Sequence, residues 1–188
     1  MYSMNDSKIN SEQRAKKNTI IILLCLFGIL ASLGSSALSA EQQEVKPKKP
    51  RFELSEKTLV DNKTRLMWPL NGHLAEQTVS WNGASEYIAG LNDDVYGGHQ
   101  DWRLPSREEL ATLVEHVKSQ GFGRDPDRTV AAGLHALGMK NINNNEYWTS
   151  TELLYNSGEA WFVNMSNGGV GKGMKTLYFS LLPVRSLP

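Results

Sequence analysis

The chain opens with its longest apolar feature, an unbroken run from Ile20 to Leu33. Arg14, Lys16 and Lys17 precede it, and the small residues Gly34, Ser35, Ser36, Ala37, Ser39 and Ala40 follow. A basic head, a short apolar stretch and a small-residue exit are the parts of a secretory signal. The basic head stays on the cytoplasmic side while the apolar stretch partitions into lipid. The run is short of the about 20 residues that a span needs, although extension to Ala40 just reaches that length. Residues 1–40 therefore read as a signal peptide or as an uncleaved anchor holding the chain to an inner membrane through residues 20–40. Either reading puts the rest outside the cytoplasm, as a periplasmic, secreted or cell-surface protein. Cys25 lies inside the run between Leu24 and Leu26, which does not suit lipid modification.

Residues 41–51, with Lys46, Pro47, Lys48, Lys49, Pro50 and Arg51, read as a solvated basic linker. Residues 52–188 carry the folded pattern. Thr58 to Trp68 has apolar segments on both sides of Asp61-Asn62-Lys63, which predicts a hairpin ended by Pro69. After Ser80, the positions Trp81, Ala84, Tyr87 or Ile88, and Leu91 recur at helical spacing, and Asn92, Asp93 and Asp94 close that helix. Ser106-Arg107-Glu108-Glu109 is a capping box opening a second helix with the stripe Leu110, Leu113, Val114, Val117 and a stop at Gly121. Val130, Leu134 and Leu137 predict one more short helix, ended by Gly138.

Strand signals then dominate, at Tyr147–Ser150 and Ala160–Met165. A reversal at Asn167-Gly168-Gly169 leads to a return strand over Thr176–Phe179 and a last strand over Leu182–Arg185. An N-terminal β-hairpin, two main helices and a run of antiparallel strands make an α+β domain.

Charge narrows the function. The chain's 20 basic and 20 acidic residues, less the four and two before Glu41, leave 16 and 18, a net of about −2. Nucleic-acid binding normally needs a strong basic excess. With Cys25 the only cysteine, the domain has neither a disulfide nor a thiolate metal site.

His73, His99, His116 and His135 lack metal-ligand spacing, and Asp125-Pro126-Asp127 fits a plain turn. Gly168 to Gly173 is no phosphate loop, since neither serine nor threonine follows Lys172. Glu109 belongs to the cap, and Glu108 and Glu115 fit a solvated helix face, so no catalytic pair is expected. Trp68, Trp81, Trp102, Trp148 and Trp161 fall at core-facing positions, and Arg103 reads as a structural tie between backbone carbonyls. One candidate site remains: Asn141, Asn143, Asn144, Asn145 and Glu146 in a polar loop, with Lys172 and Lys175 nearby in sequence. Amides donate and accept as sugar hydroxyls require, and the lysines suit sulfate or carboxylate.

Val60-Asp61, Thr64, Leu66 and Trp68 resemble the opening of the Lcl C-terminal domain family, named for a bacterial collagen-like adhesin and formerly a domain of unknown function. The resemblance continues through Ser80-Trp81 and Ala84. Its most specific stretch is Asp101-Trp102-Arg103-Leu104-Pro105-Ser106 with Glu109-Leu110. Tyr147-Trp148-Thr149-Ser150-Thr151, Ala160-Trp161, Val163 and Pro183-Val184-Arg185 complete it.

The resemblance implies a C-type-lectin-like fold and attachment to surfaces through glycans, in some members sulfated polysaccharides. The calcium-and-sugar motif of true C-type lectins has no counterpart here. Formylglycine-generating oxidases share a related core, but their chemistry needs cysteine or copper. The expectation is a non-enzymatic adhesion module without metal or cofactor. Its partner is a polysaccharide or an envelope or surface protein, and membrane contact runs only through an uncleaved N-terminal segment. A structural subunit of a surface complex is the alternative, and self-association is left open.

Overall fold

The computed structural model describes residues 49–188. The expected targeting segment and most of the expected linker lie outside the described residues. Arg51, the last linker residue by sequence, instead packs on the domain, with Nη2 2.8 Å from Asp61 Oδ2. Among the described residues no helix is long and apolar enough to cross a membrane.

The domain is α+β, with two antiparallel sheets and three α-helices. β1 (Phe52–Leu54), β2 (Thr58–Asp61), β3 (Leu66–Pro69) and β7 (Arg185–Ser186) form the first sheet, in that order. The predicted hairpin is β2–β3, in the register Leu59↔Trp68 and Asp61↔Leu66. Arg65 closes its turn in the left-handed region, at φ 61°. β1 was not foreseen, because three residues beside a proline-rich stretch give no periodicity.

β4 (Glu146–Leu153), β5 (Asn156–Asn164) and β6 (Val170–Met174) form the second sheet. The return strand is β6, not Thr176–Phe179. The reversal spans Met165–Gly168, with Gly168 N donating to Asn164 O and Asn164 N to Gly169 O. Gly-Lys-Gly looks poor as a strand, yet Gly171 and Gly173 lie against the Phe162 and Phe179 rings, where a Cβ would crowd them. Phe179 makes only an isolated bridge to Val79. The predicted last strand also shortens. Leu182 and Val184 are core residues, Val184 bridges Arg103, and only Arg185–Ser186 pairs with β3.

α1 (Trp81–Asp93) is capped by Ser80. The expected box caps α2 (Arg107–Ser119), since the Ser106 hydroxyl accepts from Glu109 N and Glu109 accepts from Ser106 N. α3 (Val130–Ala136) starts at Thr129 and ends at Leu137.

Successive strand residues face opposite sides, and the second sheet separates two cores accordingly. Tyr147 and Val163 join the α2 stripe, Leu134, Leu59 and Trp68 on one side. Trp148, Ala160 and Phe162 join Ala84, Ile88, Trp102 and Phe179 on the other. The Asp101–Ser106 stretch ties the parts together. Asn92 brackets Trp102, accepting from its N–H at 2.8 Å and donating to its carbonyl at 2.9 Å. Arg103 and Val184 exchange backbone bonds, Pro105 O accepts from Ser150 N, and Arg185 grips Asp101 (Nε to Oδ1 2.6 Å).

Candidate functional site

The loop expected from sequence to bind ligand does not meet the two lysines. Asn141 Nδ2 donates to Asn71 Oδ1, and Asn143 contacts His73. Ser166 Oγ donates to Asn144 O, Met165 N to Asn145 O, and Asn164 Nδ2 to Glu146 Oε1. The Asn141 and Asn143 amides and the Asn144 and Asn145 backbone carbonyls thus fasten loops together at the start of β4. Lys175 lies at the other end of that strand, with Nζ 2.6 Å from Glu152 Oε2 and 4.1 Å from the centre of the Trp81 ring. Glu152 is six positions along the strand from Glu146, roughly 20 Å.

The tryptophans divide. Trp68, Trp102 and Trp148 are buried, as expected. Trp81 and Trp161 are only half-buried, a correction to their reading as core. Strand alternation rightly placed Trp161 beside Val163, but the α2 layer that covers Val163 runs out at Trp161. There Arg107 of the first helical turn lies over the indole, its guanidinium 4.8 Å from the ring centre.

Lys172 stands directly across β5–β6 from Trp161. Asn164–Gly169 and Gly158–Lys175 are hydrogen-bonded pairs, so alternation makes Trp161–Lys172 a non-hydrogen-bonded pair, the geometry with the closer side chains. Lys172 is exposed and has no ion pair among the described residues. Arg107 places Nε and Nη2 on Glu108 Oε1, 2.9 and 2.7 Å away, and its Nη1 has no partner among the described residues. Two cations therefore flank one partly open indole. Exposed Val170 and Met174 share this face of β6.

Other motif residues are engaged within the fold. Arg103 forks onto Glu109, both bonds 2.7 Å, and reaches only one carbonyl, that of Leu104. Its reading as a backbone tie therefore changes to a carboxylate clamp. That clamp, opposed by some burial, holds the Glu109 carboxyl below the usual range. Arg185 does the same to Asp101.

Sequence reasoning missed Arg107, whose role in the capping box hid its position over Trp161. It also missed an apolar end of the second sheet, where Leu154 and Tyr155 at the β4–β5 tip are 93% and 99% exposed. Leu177 and Tyr178, also exposed, follow β6 at that end. Turn tips normally carry Gly, Asn or Asp, so Leu154-Tyr155 was the available signal. Among the described residues no three His, Cys, Asp or Glu side chains gather as a metal site.

A family model described as the Lcl C-terminal domain matches residues 57–185, and the chain belongs to that family. No curated protein matches it.

Proposed function

We propose that this member of the Lcl C-terminal domain family is a non-enzymatic adhesion module working outside the cytoplasm. In this reading it holds a polysaccharide bearing sulfate or carboxylate groups against Trp161, Arg107 and Lys172. The half-open indole between two cations on an antiparallel strand pair carries the reading. The apolar face of a sugar ring suits an indole, while guanidinium and ammonium suit anionic substituents. A shallow face binds each unit weakly, and a polymer multiplies such contacts through effective concentration. The C-type-lectin-like fold belongs to the same proposal.

The test is retention of the full chain on an immobilised sulfated polysaccharide. Retention is expected to fall with salt and to be lost in Trp161→Ala and in Lys172→Glu. Salt-independent retention, or none in the unaltered chain, sinks the glycan reading.

The apolar end supports a second reading, assembly with an envelope protein, because water-facing Leu154, Tyr155, Leu177 and Tyr178 suit a protein partner. A salt-insensitive partner lost on Leu154→Ser with Tyr155→Ser would favour it.

A further inference from the structure

Away from the strand face, Arg51 fastens the start of β1 to two other elements. Its Nε and Nη2 reach Asp61 at 3.1 and 2.8 Å, and its Nη1 donates to His116 Nδ1 at 3.0 Å. The His116 ring also lies 4.8 Å from the Phe52 ring, centre to centre. Arg51, with Lys63 and Thr64, lines one side of an open groove of about 570 Å³ whose other wall is the face of α2 that carries His116.

The chemistry of the Arg51–His116 contact is one-sided. A guanidinium only donates, so Nδ1 must offer its lone pair and the ring proton sits on Nε2. Gln120 Nε2 lies 3.1 Å from His116 Nε2; with the ring proton there, a half-turn of the amide is needed to bring its oxygen, the acceptor, to the ring. A proton on Nδ1 would set two donors against each other and a second cation beside Arg51. The charged groups facing the ring are Arg51 before β1, Asp61 on β2, Lys63 in the β2–β3 turn, and Glu108 and Glu115 along α2. Asp61 favours the imidazolium but is already gripped by Arg51 and by the Lys63 amide. Glu115 is paired with Lys118 and Glu108 with Arg107.

We propose that His116 is an acid-sensitive fastener: neutral, it holds Arg51 and β1 to α2, and protonated, it releases them where the chain enters the domain. Burial and the nearby Arg51 hold the imidazole below its ordinary value of 6.5. The released form therefore gains as pH falls below that value. One unit of difference between held and released states amounts to a ten-fold change in opening.

Hydrogen exchange of the Phe52–Asp61 backbone, followed by mass spectrometry on the full chain in detergent micelles, tests the device. After correction for intrinsic exchange, opening should rise several-fold between pH 7.5 and pH 5. His116→Asn offers an amide oxygen as a non-titrating acceptor and should flatten that response. His116→Lys should open β1 already at pH 7.5. An unchanged pH response in His116→Asn, or no response in the unaltered protein, overturns the proposal.

Discussion

Trp148 and Trp161 stand on neighbouring strands of one sheet and meet opposite fates. Trp148 faces the second core, fully buried, and its indole N–H reaches Val79 O at 2.9 Å. Trp161 faces the side that emerges from beneath α2, where an arginine is its cover. Residue type and strand period are the same in both. The difference is which face each takes and how far the layer over that face extends, so exposure on a sheet is set by what lies over it.

Substitutions that weigh the two faces against each other should separate stability from binding. The largest effect is expected from Trp148→Ala, which empties a closed core and should cost about 3–5 kcal/mol in denaturant unfolding. Gly171→Val comes next, because a Cβ there would run into Phe162 Cζ. Overpacking of this kind costs about 1–3 kcal/mol, read as a lower thermal midpoint. Ser106→Ala removes the side-chain half of the α2 cap and should cost about 1 kcal/mol.

Lys172→Ala, on the open face, should shift unfolding by less than about 0.5 kcal/mol while weakening retention on a sulfated polysaccharide. A large stability loss there would erase the distinction between the faces.

Acid should reveal the fasteners in two stages. The His116 value is depressed, so the unfolded chain takes up the proton first. Stability is complete above 6.5 and declines as pH falls below it. Asp101 and Glu109 are also depressed, by Arg185 and Arg103. Their contribution is present above the ordinary carboxylate range and lost below it. Unfolding curves across pH should show the first decline vanish in His116→Asn and the second persist.

Much of the frame was legible because it is local. The β2–β3 hairpin, the Ser106 box and the α2 stripe follow from short patterns that nothing distant overrides. The return strand was misplaced because Val170–Met174 owes its place to aromatic rings on other segments, Phe162 and Phe179, rather than to its own propensity. The site was legible only in pieces. Lys172 was singled out, but pairing it with Lys175 and the asparagine loop assumed that closeness in sequence means closeness in space. Register instead gave Lys172 to Trp161, and an ion pair tied Lys175 to Glu152. Arg107 could not be read as part of that group without knowing where α2 lies over β5.

The pairing of β3 with β7 has a kinetic consequence. Arg185 and Met67, whose side chains touch, are 118 positions apart, and Val184 is also the bridge partner of Arg103. Joining such distant stretches requires closing a long loop, an entropic toll settled before the contacts repay it. The first sheet therefore stays one strand short until nearly the whole domain has been made. A chain truncated before Leu181 should retain helical circular dichroism but lose the near-ultraviolet signal of ordered tryptophans.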